Sequence, residues 1–327
     1  MKFAETFKKY FDWFTAALVV TVSLAVVLPA SGKVYEAFSL LSKLVVAFLF
    51  FMHGLKLSPQ NLWSGLTNWR LHLVIVAMSF IVFPILGLIL KPVVIFLAGN
   101  DLYQGVLFVC VLPSTVQSSI AFTSIAGGNV AAAVCAASFS SLLAVFATPV
   151  LVNLLMRTTV GSSLASAVGN LCLQLVLPFA VGQAMRRFMV GWVNRRKRII
   201  GFTDRLSVLF IVYVSFSHGT TSGLWYTLSF KLLLALLVGC ALLLALALMS
   251  TAAFGRFLRF PLADRIVIVF CGSKKSLITG VPMANIIFPP HLAGVIILPL
   301  MFFHQMQLVA CSFLARHYAS KACLEAD

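Results

Sequence analysis

Two short polar stretches interrupt segments that are otherwise apolar enough for hydrocarbon: Pro113-Ser114-Thr115-Val116-Gln117-Ser118-Ser119 and Gly272-Ser273-Lys274-Lys275-Ser276. Pro113 removes one backbone amide and disfavours a helical Leu112. Gly272 tolerates unusual dihedrals, and the hydroxyls with the Gln117 amide can serve freed backbone groups or a solute. An ionisable side chain deep in an apolar segment costs a few kcal/mol or more and usually marks function, which singles out Lys274 and Lys275. Adjacent helical positions point about 100° apart. One lysine is therefore expected to line a site, and the other to snorkel or meet carbonyls. Ammonium and hydroxyl donors suit an anion, and a lysine that loses and regains its proton would offer a coupling route. All eight acids (Glu5, Asp12, Glu36, Asp101, Asp204, Asp264, Glu325, Asp327) fall in expected loops, tails or span ends. A dehydrated calcium or magnesium path is therefore not expected. The sequence carries no nucleotide loop, zinc motif or nucleophile elbow, so no enzyme is expected.

These stretches must be positioned by elements whose solvent is lipid. Of 327 residues, 61% are hydrophobic and 10% charged, against about a quarter charged in soluble proteins. The net charge of +16 resides in short gaps between apolar runs. A nucleic-acid protein instead gathers its bases on one wettable face, so no nucleic acid is implied. The run Arg195–Arg198 reads as a topological anchor, with contact to anionic membrane lipid as the alternative. The seven cysteines have no metal-binding spacing; six read as small buried hydrophobes and Cys323 as a tail residue. Lys2, Lys8 and Lys9 before Ala16–Leu28 and the small residues Ala30–Ser31 resemble a secretory signal, but the run from Trp13 is long enough to span and Glu5 and Asp12 are atypical of a signal, so a first spanning helix is expected.

Lipid forces an apolar segment of about 20 residues to close its own hydrogen bonds as a helix. Spans are expected at 13–30, 38–56, 71–90, 103–125, 130–156, 164–185, 206–221, 229–254, 264–286 and 291–315. The expected fold is thus an all-α polytopic membrane protein with ten transmembrane helices. Lys and Arg favour the cytoplasmic side. Of the 24, four fall on the outer side (Lys33, Lys91, Arg157, Lys231) and three inside spans (Lys43, Lys274, Lys275), leaving seventeen on the inner side with both termini. The polar break Arg157–Ser163 divides the spans five and five, giving repeats 1–157 and 158–327 of opposite orientation. In inverted-repeat transporters, discontinuous helices at corresponding positions mark the binding site. Here the fourth and ninth spans carry the interruptions. In one helix alone such residues would read as an ordinary kink, but two at equivalent places read as a site.

The order of spans, FMHGLKLSPQNL (51–62), LPSTVQSS (112–119), AGGNVAAA (126–133), Thr148–Pro149 and CGSKKSLITGVPMA (271–284) resemble the bile acid:sodium symporter family over nearly the whole chain. The resemblance implies a panel domain (helices 1, 2, 6 and 7) and a core domain (3–5 and 8–10), with helices 4 and 9 crossing at their breaks, and alternating access. It also exposes departures. Where sodium-binding members carry Ser-Asn after the helix-4 break, this chain has Ser118-Ser119, leaving those two as residual sodium-site candidates. Phe270 stands in place of a sodium-binding Glu, and Lys274 in place of a Gln. Ser79 and Ala137 replace two further ligands. Lys274 could then occupy the space of a bound sodium, giving sodium-independent or proton-linked movement of an organic anion, such as a bile-acid-like amphipathic acid, across a bacterial inner membrane. The alternative is a membrane regulatory protein on the same fold that conducts no solute. A channel would need a ring of charge that the sequence does not offer.

Overall fold

The computed structural model describes residues 13–56, 68–156, 164–223 and 229–324, and these form helices without any strand. In chain order they are α1 (Trp13–Val27), α2 (Gly32–Lys56), α3 (Trp69–Ile89), α4 (Lys91–Cys110), α5 (Gln117–Ile125), α6 (Val130–Met156), α7 (Leu164–Arg195), α8 (Lys197–Thr221), α9 (Phe230–Phe257), α10 (Leu262–Gly272), α11 (Leu277–Ile287) and α12 (Pro290–Leu324). Eight helical segments among the described residues are long and apolar enough to cross a membrane, with α10 and α11 counted as one. The protein is therefore an all-helical, multi-pass integral membrane protein. Of the two other expected spans, α1 has only 15 residues, and in α7 the side chains before Leu175 lie outside the description.

The expected boundaries need correction in four places. The region 186–205, expected as a loop, is helical on both sides of Arg196, because α7 runs to Arg195 and α8 starts at Lys197. Arg and Lys are good helix formers, so a helix leaving lipid has no reason to stop at the first charge. The expected tail from Arg316 likewise continues α12 to Leu324. Lys91 does not lie in a loop but begins α4, and α2 starts at Gly32 rather than 38. Within α4 the helix is broken at Gly99, whose φ of +83° only glycine adopts without penalty. Asp101 follows that kink. The expectations resting on Lys2, Lys8 and Lys9 and on Arg157–Ser163 fall outside the described residues, as do those resting on the side chains of Cys172 and Cys323. Five other cysteines (Cys110, Cys135, Cys240, Cys271, Cys311) are buried.

The chain divides into two compact units. The first comprises residues 1–57, 157–230 and 281–297. In it α2 lies against α7 so closely that a Cβ on Gly54 would collide with the Phe179 carbonyl, and one on Gly182 with that of Phe51. Tyr213 and Thr220 of α8 donate to the carbonyls of Leu28 and Ala25 at 2.7 and 3.1 Å, tying α8 to the end of α1. Lys56 pairs with the buried Asp204. The second unit comprises residues 58–156, 231–280 and 298–327. At its centre α10 is buried without interruption from Ile266 to Gly272. One side of it packs on Leu71, Ile75, Ala132, Ala133 and Ala136, the other on Ala126, Cys311 and Ala315. Asp264 in its first turn accepts from Asn68 and Asn129, both at 3.1 Å.

Candidate functional site

An unwound stretch inside a membrane protein survives only if every freed backbone group finds a partner. In the second unit this requirement can be followed atom by atom. Between α4 and α5 the backbone is non-helical over residues 111–116. Pro113 offers no amide to Val109, the usual partner four residues back. The amide of Ser114, which would serve Cys110, donates instead to Ser140 Oγ at 3.1 Å. The carbonyls of Cys110, Val111, Leu112 and Pro113 are thereby released. They accept, in order, from Lys275 Nζ (3.0 Å), Thr148 Oγ1 (2.8 Å), Lys275 Nζ (2.7 Å) and the Ser276 amide (2.9 Å).

Lys275 reaches a third carbonyl, that of Ser79, at 2.8 Å. That oxygen is free for a local reason. Residues Met78–Val82 form a π-helical turn in which the Phe83 amide reaches back to the Met78 carbonyl. Residue 84 is proline, so no amide remains for Ser79. Nζ also lies 4.0 Å from the centre of the Phe83 ring. The backbone of Lys275 is held in turn by Gln307, whose Oε1 accepts its amide and whose Nε2 donates to its carbonyl, both at 2.8 Å. His304 lies 2.9 Å from Gln307 Nε2.

Lys274 and Lys275 are both fully buried, so neither snorkels, and the expectation of one lysine meeting carbonyls falls on Lys275. Lys274 Nζ has no hydrogen-bond partner among the described residues; it lies 3.9 Å from the Phe122 ring centre and 5.6 Å from that of Phe270, in the range of a cation–π contact. Phe270, fully buried, also presents its carbonyl to the site, which accepts from Ser119 Oγ at 2.9 Å. Ser119 shares a hydroxyl chain with Thr115 (2.9 Å) and through it Ser118 (2.8 Å).

The remaining expected residues divide by role. Ser276 caps α11, accepting from the Thr279 amide at 3.2 Å. Ser273 donates to the Val269 carbonyl at 2.6 Å and Ser114 sits buried in the break. Gly272 is the last residue of α10 rather than part of the unwound stretch, and Gln117, Ser118 and Ser119 already belong to α5. Pro113 ends its helix earlier than expected because its missing amide is felt four residues upstream. Gln117 is exposed and Ser118 half-buried, which leaves them the accessible polar groups of the set. Ser79 Oγ is buried without a partner among the described residues, and Ala137 is a buried residue of α6. Sequence reasoning missed Gln307, His304 as its neighbour, and Ser140. The polar cluster His304, Gln305 and Gln307 within the apolar run of α12 was the available signal for Gln307.

The model of the SBF-like CPA transporter family matches residues 12–320. An uncharacterized protein of Pseudomonas aeruginosa is 50% identical over 312 residues, covering 95% of this chain and 93% of its own. The Escherichia coli K12 protein named "Putative symporter YfeH" is 47% identical over 310 residues, covering 94% and 92%. Sodium/bile acid cotransporter 7 of Rattus norvegicus is 30% identical over 320 residues, covering 96% and 94%. With matches running nearly end to end, the chain belongs to the SBF-like CPA transporter family and is a membrane transporter of the bile acid:sodium symporter type.

Proposed function

We propose that the chain is a secondary active transporter that moves an organic anion by alternating access, and that it does so without a bound sodium ion. The observation that carries this reading is the meeting of two interrupted helices. Ser276 donates to the Pro113 carbonyl, Ser119 to that of Phe270, and Lys275 closes on Leu112. Two breaks that complete each other are what an inverted repeat of two five-helix halves would produce, with the α4–α5 and α10–α11 breaks as the substrate- and ion-binding region. The two compact units would serve as panel and core. The accessible groups, Gln117 and Ser118, stand at the N-terminus of α5, where free amides and the helix dipole favour negative charge. The membrane would be a bacterial inner membrane, with both termini cytoplasmic.

The residues do not fit a sodium ion. Phe270 brings an apolar ring where a carboxylate would be needed, and three carbonyl oxygens at 2.7–3.0 Å already hold the ammonium of Lys275. Lys275, rather than Lys274, therefore supplies the fixed positive charge, since Lys274 faces rings and no oxygen. Uptake of labelled taurocholate into proteoliposomes tests this. Uptake should proceed equally when choline replaces sodium and should be lost in Lys275→Met. A strict sodium requirement would overturn the fixed-charge reading. Absence of uptake for taurocholate, cholate and simple sulfonates alike would overturn the organic-anion reading.

A further inference from the structure

A second lysine-bearing site lies in the first unit, apart from the helix breaks. Lys43 falls near the middle of α2, 11 residues after its start at Gly32 and 13 before its end at Lys56. At 1.5 Å per residue this is roughly 16–20 Å from either end, farther than a lysine side chain can snorkel. It is nevertheless exposed. Among the described residues it makes no ion pair, the acid of this unit that does so being Asp204 with Lys56. A mid-span lysine is tolerated when it faces a cavity with polar groups rather than lipid, and a cavity that mixes polar groups with the apolar Val46, Val214, Ile286 and Pro290 is present.

That cavity is about 60 Å³ and is lined by Tyr35, Ser39, Ser42 and Lys43 of α2, Ser215 of α8 and Asn285 of α11. The α2 residues recur at i, i+4, i+7 and i+8, so one helix face supplies them. Lys43 stands at its edge, beside the exposed leucines Leu40 and Leu44. Across from them Ser215 Oγ donates to Asn285 Oδ1 at 2.8 Å, and Asn285 Nδ2 to the Val281 carbonyl at 3.1 Å. This fixes the amide and leaves its second N–H unspent. The volume admits about four waters, or one carboxylate or sulfonate with the first carbons behind it.

We infer that this cavity is a binding site for the head group of an organic carboxylate or sulfonate, with Lys43 as its counter-charge and, as hydrogen-bond donors, the second N–H of Asn285 and one hydroxyl of the Tyr35–Ser39 pair, Ser42 Oγ being committed to the Ser39 carbonyl at 2.8 Å. The inference rests on the organic-anion reading above and adds residues outside the breaks. Binding to full-length protein in nanodiscs of phosphatidylcholine tests it, with benzoate and benzenesulfonate as probes and benzamide as the uncharged control. Both anions should bind saturably and benzamide should not. Lys43→Gln should weaken the anions at least tenfold with an unshifted melting temperature, and Lys43→Arg should stay within threefold of the native protein. Binding unaffected by Lys43→Gln, equal binding of benzamide, or no binding of either anion would overturn the inference. If the anions bind through Lys43 yet none crosses a proteoliposome membrane, the transport reading fails while the site stands.

Discussion

The two adjacent lysines differ in what their removal would leave behind. Lys275 satisfies three buried carbonyls that have no other donor within their own helices, and each acceptor left bare costs about 1–3 kcal/mol. Lys274 satisfies none; its ammonium gains an aromatic face worth about 0.5–2 kcal/mol against the cost of burying a charge. Lys275→Met should therefore lower the melting temperature of the purified protein sharply, and Lys274→Met should leave it unchanged or raise it. Equal losses in the two variants would contradict this division. Sequence reasoning found that the pair is exceptional, because lysine in hydrocarbon is exceptional wherever it occurs. It could not find which lysine meets the carbonyls. That depends on Pro84 freeing Ser79, and residues 79 and 275 share no periodicity that a single sequence displays.

At the scale of elements, lipid made most of the helices legible, since an apolar run in hydrocarbon has few options but to coil. The breaks were legible from Pro113, Gly272 and the clustered hydroxyls, although their edges shifted by a few residues, because a missing amide acts four residues before the proline that causes it. The ends facing water were not legible. There hydrophobicity falls while helical hydrogen bonding continues, as α7 and α12 demonstrate. Helix proximity was also hidden in the sequence, and here small residues decide the outcome. A methyl on Gly54 or Gly182 would press into backbone of the partner helix, α7 or α2, and overpacking of this kind costs about 1–3 kcal/mol. On the same α7, a methyl on Gly191 would meet nothing within 4 Å. Gly182→Ala and Gly54→Ala should each lower the melting temperature. Gly191→Ala should raise it slightly, as replacing an exposed helical glycine normally does. A loss at Gly191 as large as at Gly182 would mean that the α2–α7 contact is not what sets the effect of these variants.

For the whole molecule, the orientation proposed above rests on charge, because Lys and Arg near span ends favour the cytoplasmic side. Seventeen of the 24 fall on one side of the ten-span order, and seven of these lie between 186 and 205, where α7 and α8 are helical around Arg196. That the segment is helical does not weaken its topological role, since the bias counts charges near span ends whatever their backbone conformation. The sparse side is defined by Lys33, Lys91, Arg157 and Lys231. Cysteines placed singly at Arg196 and at Lys231 should therefore label from opposite faces in intact cells. The impermeant maleimide should react at 231 and reach 196 only after permeabilisation. The five buried native cysteines should contribute little background. Labelling of both positions from outside would require an even number of crossings between them. Since α8 lies between 196 and 231 and α9 begins at Phe230, with Lys231 in its first turn, same-side labelling would mean that α8 does not cross. The five-and-five arrangement that pairs the two breaks would then be lost.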